Sequence, residues 1–395
     1  MVSFALEEEQ RLIQETVRKF AAEELRPHLR DLERAGTLPP ALRQRFHELG
    51  LGLVDAPEAL GGLGAGLVTA AIVHEELAFG DPGAAVALFA PHLAGQALLA
   101  LGDEAQQQTW LGLFADTAGH QRLGALAYCE LDGPVEGFAT TARSDGEHWI
   151  LDGNKSYVVN GATADVLVVF AQLDGISGRP GAAAFVVGRG TAGVTAGARH
   201  QLLGLETVEA CSLVFTGCRI PNSQRLVGGS DFEAATQRLF ARLSLIHAAR
   251  QVGLARASYE AALAYTQERT AFGKPVAHFQ AIAFTLADMH MDVEAARWLT
   301  WQAATRLDHG ETLLCHEAAA HANEAAWRVA DHGVQLLGGA GYVKDHPVEK
   351  WLRDTKALAL FGPPSEHHAL QIASAELGHA VGAALPSASL QPFFT

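Results

Sequence analysis

R-T-A-F-G-K-P-V-A-H-F-Q, Arg269 to Gln280, closes a long segment whose apolar residues recur at helical spacing. Gly273 and Pro275 supply the stop signals of a helix C-terminus. A second long segment ends the same way, at Q-L-L-G-G-A-G-Y, Gln335 to Tyr342. Each helix therefore delivers one polar side chain, Arg269 or Gln335, beside backbone stripped of bulk. A guanidinium presents a fixed fork of donors suited to phosphate, and bare glycine lets a ligand approach the chain closely. Because a helix C-terminus repels anions through its dipole, the arginine must supply the positive charge. Two readings of Arg269 stand open on spacing alone: a clamp for a nucleotide diphosphate, or a cap on the helix it ends.

Composition narrows the classes. A chain of 395 residues, 49% hydrophobic and 18% charged, is long enough for two or three domains and has the balance of a globular protein. The formal charge of -15 argues against nucleic acid as a partner, since that binding rests on basic patches. Cys129, Cys211, Cys218 and Cys315 show no C-x-x-C spacing, which points to reduced thiols. The start, M-V-S-F-A-L-E-E-E-Q, is acidic and lacks a signal-peptide pattern, and no apolar stretch reads as a membrane span. A cytoplasmic protein without membrane insertion is the expectation. The 18 histidines are scattered, and neither His316 with His321 nor His367 with His368 makes a zinc signature, so no metal site is expected. No G-x-S-x-G occurs to mark a nucleophile elbow.

Taken in order, Glu7 to about Leu32 has helical apolar spacing, and further helices follow over Ala41–Leu49, Val68–Phe79, Pro91–Leu101 and Glu104–Phe114. The intervening P-E-A-L-G-G-L-G-A-G, Pro57 to Gly66, has no preceding strand and no following G-K-S/T, and reads as a connecting loop. Near Arg122 the pattern shortens. Trp149–Leu151 and Lys155–Val159 around Asp152-Gly153 read as a hairpin with a D-G turn. Val166–Phe170, Ala183–Val187 and Cys211–Phe215 are short apolar strands, as in an antiparallel barrel or sandwich. After Gly228-Gly229 helical spacing returns in segments over Phe232–Glu268, Phe279–His309, Glu311–Leu337 and Val348–Phe361. Val381 to Thr395 reads as a loose tail. The fold class is α+β: a helical N-terminal domain (1–121), an antiparallel β middle domain (122–229) and a C-terminal four-helix bundle (230–395).

Together these features resemble the acyl-CoA dehydrogenase family. P-E-A-L-G-G-L-G is similar to that family's P-E-x-x-G-G-x-G, and D-G-N-K-S-Y-V-V-N-G (Asp152 to Gly161) to its N-G-x-K-x-W-I-T-N-G. R-T-A-F-G-K-P and Q-L-L-G-G-A-G-Y are the most specific matches, and they favour the clamp reading of Arg269. The resemblance implies FAD as cofactor, a CoA thioester as substrate, an electron-transfer flavoprotein as electron acceptor and a homo- or heterotetramer. It implies that Arg269, Phe272, Gln280, Gln335, Gly338 and Gly339 hold the ADP half of FAD, reaching across to a neighbouring subunit's flavin. Cys129, Tyr157 and Val159 fall where the family touches the flavin ring.

The chemistry-bearing half departs from the pattern. Aligned on Arg353-Asp354, Gly362 stands where the family's proton-abstracting Glu belongs. The alternative position for that base, on the first helix of the C-terminal domain, is Leu243. The T-E-P-G-x-G-S-D loop becomes Cys129-Glu130-Leu131-Asp132-Gly133, and the Thr of W-I-T becomes Val159. Three readings follow: a dehydrogenase whose base comes from elsewhere, with Glu366 and Glu130 as candidates; a non-catalytic partner subunit in a heteromeric dehydrogenase; or a flavin oxidase or monooxygenase that needs no α-proton base.

Overall fold

The structure is a computed structural model that describes residues 5–115, 118–131, 133, 137–378 and 381. Asp132 and nearly all of the expected tail (382–395) lie outside the described residues.

Helix α1 (Glu8–Phe20) starts at a capping box between Glu7 and Gln10. A turn of wider helix and a short tight turn at Arg26–His28 carry the chain past Pro27 into α2 (Leu29–Ala35). There follow α3 (Pro40–Glu48), α4 (Leu67–Gly80), α5 (Pro82–Leu101) and α6 (Glu104–Ala115). Helix α5 begins nine residues before the expected start at Pro91. Pro82 occupies its first turn, the Asp81 carboxylate accepts from the Ala84 amide at 2.7 Å, and Pro91 lies inside the helix. That extension also corrects the expectation about membrane spans: Pro82–Leu101 is long and apolar enough to cross a bilayer by length and composition, but most of it is buried inside the protein. A helix apolar on every face is what a central core position requires.

The middle of the chain forms a sheet in the order β6-β7-β3-β2-β4-β5-β8, with β1 (Gly124–Ala127) beside β4. The strands are β2 (Thr141–Asp145), β3 (His148–Val159), β4 (Val166–Leu173), β5 (Ala182–Gly188), β6 (Val194–Arg199), β7 (Ala210–Pro221) and β8 (Arg225–Leu226). Most pairings are antiparallel as expected, but β1 and β2 each pair with β4 in parallel. The D-G hairpin turn is also placed one dipeptide too late by the sequence reading. The turn is at Asp145-Gly146, where Asp145 faces His148 and Gly146 has φ 66°. Asp152-Gly153 lies within the continuous β3, at a register shift against β7. There Asp152 accepts from the Gly217 amide at 2.6 Å, and a β-carbon at 153 would lie 2.6 Å from Thr140 Cα. Glycine serves close strand approach at that point.

The C-terminal bundle comprises α7 (Phe232–Glu268), α8 (Gln280–Asp308), α9 (Leu313–Leu337), α10 (Val348–Leu358) and α11 (Ser365–Leu377). Helices α7 and α9 run in the same direction: Asn323 meets His247 and Gln251, and Val329 meets Ser258 further along both. Helix α4 is clamped onto this pair by ion pairs. Glu75 binds Arg256 and Arg297, while Glu76 binds Arg256 and Arg18, so carboxylates buried on α4 hold α1, α7 and α8. Lys350 is likewise matched by Asp81 and Asp354. The apolar core that positions the site joins α5 and α6 to β4 and β5 and to the first turns of α7.

Candidate active site and cofactor clamp

Because α7 and α9 run together and α8 returns antiparallel, the ends of α7 and α9 and the start of α8 meet at one end of the bundle. This topology brings together Arg269 at the end of α7, Gln280 opening α8, and Gln335 with Gly338 and Gly339 closing α9. All five are exposed. The side chain of Arg269 has no hydrogen-bond or ion-pair partner among the described residues, so it does not cap its own helix. A two-stranded ribbon, β9 (Thr270–Ala271) with β10 (Lys274–Pro275), lifts Phe272 to its tip, where it has φ 51° and is 97% exposed. Gly338 has φ 58°, and a β-carbon there or at Gly339 would meet nothing within 4 Å.

Some distance along α7 lies a small cavity of about 40 Å³ between α5, α7 and the ends of β1 and β3. It is lined by Tyr128 and Cys129, just after β1, and by Ser156, Tyr157 and Val159 of β3. The Cys129 carbonyl accepts from the Ser156 amide at 2.8 Å, and burial pushes the Cys129 thiol up, so it stays protonated. Tyr157, at φ 51°, sets its ring 4.9 Å from His200. Tyr128 and Cys129 also border a larger, open cavity of about 640 Å³, walled by Phe138 and Arg179 on the sheet side and Phe240 and Glu366 on the helical side.

None of the positions weighed for the base offers a free carboxylate to the small cavity. Gly362 is buried, and a β-carbon there would lie 2.7 Å from His247 Cγ and 2.8 Å from its Nδ1. Leu243 is one of the cavity's apolar walls. Glu130, a candidate from sequence, is committed elsewhere: it accepts from Lys155 at 2.6 Å, from the Thr140 hydroxyl and amide, and from the Ala139 amide. Burial opposes its charge, but Lys155 and those hydrogen bonds outweigh it and hold the carboxyl below the usual range. Burial in turn pushes Lys155 down to about 8 against the pull of Glu130. Glu366 is exposed in the first turn of α11, facing the larger cavity.

Two residues that the sequence reading passed over occupy the small cavity instead. His247 and Arg250 lie four and seven residues beyond Leu243 on α7, hence on the same helical face. Projecting that face from the vacant base position is the signal that would have found them. His247 is 2% exposed, and its Nε2 lies 2.6 Å from Asn323 Oδ1. The same oxygen accepts from Gln251 Nε2 at 2.9 Å, and Gln251 Oε1 accepts from Thr355 at 3.0 Å. This chain of donors makes Asn323 Oδ1 the acceptor, so the imidazole proton is assigned to Nε2 and the lone pair to Nδ1. Nδ1 is buried without a partner. Burial pushes His247 down to about 4, with the Asn323 bond opposing and the Arg250 charge adding. Arg250 is 3% exposed, and its Nε and Nη2 have no hydrogen-bond partner. Burial pushes the guanidinium down to about 9, which leaves it charged at neutral pH.

Comparison with known proteins agrees with this architecture over most of the chain. Three family models match: acyl-CoA dehydrogenase N-terminal domain over residues 7–117, middle domain over 132–218 and C-terminal domain over 232–377. The mitochondrial short-chain specific acyl-CoA dehydrogenase of Mus musculus is 35% identical over 380 residues, 94% of this chain and 90% of that protein. Among solved structures, butyryl-CoA dehydrogenase from Megasphaera elsdenii superposes with a TM-score of 0.86 at 29% identity, covering 95% of this chain and all of that one. A glutaryl-CoA dehydrogenase from Mycobacterium smegmatis in complex with FADH2 gives 0.86 at 27% identity, covering 95% and 96%. In all three of its domains, then, this chain belongs to the acyl-CoA dehydrogenase family of FAD-dependent flavoproteins.

Proposed function

We propose that this chain dehydrogenates the α,β bond of a CoA thioester with its own catalytic pocket, and that His247 Nδ1 is the proton acceptor. The observation that carries this reading is the imidazole filling the space in front of Gly362, with an unpartnered Nδ1 facing it. Held at about 4, the ring is neutral across the physiological range and ready to receive a proton. Asn323 fixes its tautomer through Nε2 and would steady the imidazolium that forms. The α-proton passes to Nδ1, the electrons of that C–H bond become the new double bond, and the β-hydrogen departs as a hydride. FAD supplies the acceptor for that hydride.

The residues present fit FAD at its diphosphate end. An exposed, unpaired guanidinium beside two glycines open to solvent is suited to an anion, and Phe272 offers a free aromatic face. At the ring end, Cys129 and Tyr128 border the open cavity of about 640 Å³, which has the volume that a flavin ring needs, whereas the cavity of about 40 Å³ lined by Ser156, Tyr157 and Val159 does not. Arg269 stands more than five helical turns beyond His247 on one helix, about 33 Å at 1.5 Å per residue. That exceeds an extended FAD. Clamp and pocket on one chain therefore suit two different flavins, which supports a homo- or heterotetramer in which Arg269, Gln280 and Gln335 serve a neighbour. Electron-transfer flavoprotein is the acceptor that the family resemblance favours. A purely supporting role in a heteromer draws on the same clamp but leaves the His247–Asn323–Gln251–Thr355 chain without a use.

The test is anaerobic bleaching of the flavin in the purified holoenzyme by a panel of short acyl-CoA thioesters. His247→Gln should keep its flavin and slow bleaching by about 10²–10⁴-fold, the usual contribution of a general base. Bleaching at the wild-type rate would remove His247 from the reaction.

A further inference from the structure

We propose that Arg250 forms a subsite for a carboxylate at the far end of the acyl chain, so that the substrates are thioesters of short dicarboxylic acids. The inference rests on the dehydrogenase reading above and names its substrate class.

Buried cations elsewhere in the chain are matched: Lys155 by Glu130, Lys350 by Asp81 and Asp354, Arg256 by Glu75 and Glu76. Arg26, half-buried, donates to the Phe79 carbonyl at 2.7 Å and stacks on Trp351. Arg250 has no such arrangement. The titratable groups facing it are His74, His247 and Tyr128, and burial keeps all three neutral. The Phe89 ring is 5.9 Å away, at the outer limit of a cation–π contact. The carboxylates of neighbouring elements are already taken: Glu75 and Glu76 by three arginines, Asp55 by Arg242 and Gln96, Glu130 by Lys155. A charge enclosed without a counter-ion costs several kcal/mol, and an anion supplied from outside removes that cost.

The place available to that anion is the small cavity, which Arg250 and His247 both line. At about 40 Å³ it holds roughly three waters, the size of a carboxylate with a methylene or two. Arg250 lies three residues beyond His247, so their β-carbons are about 5–6 Å apart. With Nδ1 at the α-carbon, a chain only a few bonds longer delivers its terminal carboxylate to the guanidinium. Nε and Nη2, both buried without a hydrogen-bond partner, lie on one edge of the fork, so a carboxylate that reaches that edge meets two donors at once. An uncharged chain of the same length would instead press methyl groups against an unpaired cation.

The experiment compares glutaryl-CoA with pentanoyl-CoA, of equal backbone length, by kcat/KM and by binding to the holoenzyme. The wild type should favour glutaryl-CoA at least 100-fold. Arg250→Met, of similar bulk, should lose that preference and gain on pentanoyl-CoA, while Arg250→Lys keeps the charge, loses the fork and retains part of the preference. Equal use of both thioesters by the wild type, or an equal loss on both in Arg250→Met, overturns the subsite. If neither thioester bleaches the flavin, the dehydrogenase reading fails, and the ratio of their dissociation constants still decides the subsite: a ratio near one sinks it.

Discussion

The contact between Gly362 and His247 makes a stability prediction that separates their roles. Gly362 has φ -116° and ψ 177°, extended backbone that alanine adopts freely. Its substitution by alanine would by itself be neutral or stabilising by about 0.4–1 kcal/mol through the unfolded chain. In the folded chain the new methyl would lie 2.7 Å from Cγ and 2.8 Å from Nδ1 of a ring that cannot withdraw, because its Nε2 is held by Asn323. Overpacking of this kind costs about 1–3 kcal/mol. Gly362→Ala should therefore destabilise the wild type by that amount, yet be harmless or favourable in a His247→Ala background. The interaction energy of the double-mutant cycle should equal that overpacking cost, about 1–3 kcal/mol, read from urea unfolding followed by tryptophan fluorescence. A catalytic counterpart follows: Gly362→Glu should restore flavin bleaching to the His247→Ala variant, where the crowding at 362 is relieved, whereas in the presence of His247 the added side chain has no room and should lower the wild-type bleaching rate. Additivity of the two alanine substitutions within about 0.5 kcal/mol would refute the contact.

Two other expectations concern pH and the cofactor. His92, His247 and His316 are pushed by burial from 6.5 to about 4, so between those values the unfolded chain takes up protons that the folded chain refuses. Stability should be complete above about pH 6.5 and fall as the pH drops toward 4, by about 3 kcal/mol per histidine, and a urea midpoint unchanged between pH 7 and 4.5 would contradict it. Arg269→Ala should weaken FAD binding by about 10- to 100-fold, the worth of charge-assisted hydrogen bonds, while leaving the unfolding of the apoprotein unaltered. Titration of the apoprotein with FAD measures the first, and an unaffected dissociation constant would exclude Arg269 from the clamp.

Much of the architecture was legible because local and global signals agree. The 37-residue α7 begins at Phe232 and ends at Glu268 where the apolar spacing and the following Gly273 and Pro275 place it. Errors arose where one local signal has two structural meanings. Pro91 reads as a helix start, but α5 is buried on every side and tolerates it inside. Of the two D-G dipeptides that flank Trp149–Leu151, Asp145-Gly146 turns the chain and Asp152-Gly153 does not, because the latter lies within β3 between two neighbouring strands. The parallel pairing of β1 with β4 depends on α5, since Gly124 packs against the Pro91 carbonyl, a contact across the chain that no strand pattern encodes. At the site, Glu130 was visible as a carboxylate, but the lysine that occupies it is 25 positions away. His247 and Arg250 belong to no motif. Their meaning comes from what faces them: a glycine at 362, an amide oxygen at 323, and a cavity without a counter-ion.

The burial of α5 also bears on how the chain is made. This uncharged helix emerges from the ribosome early, but part of its cover belongs to α7, whose Ala235, Leu239 and Leu243 share a core with Ala94, Leu98 and Leu101. At about 5–20 residues per second, synthesis reaches the end of α7 roughly ten to thirty seconds after α5 is complete. For that interval the nascent chain displays an uncharged apolar segment of 20 residues without its full cover. A fragment stopped before Phe232 keeps that face permanently bare.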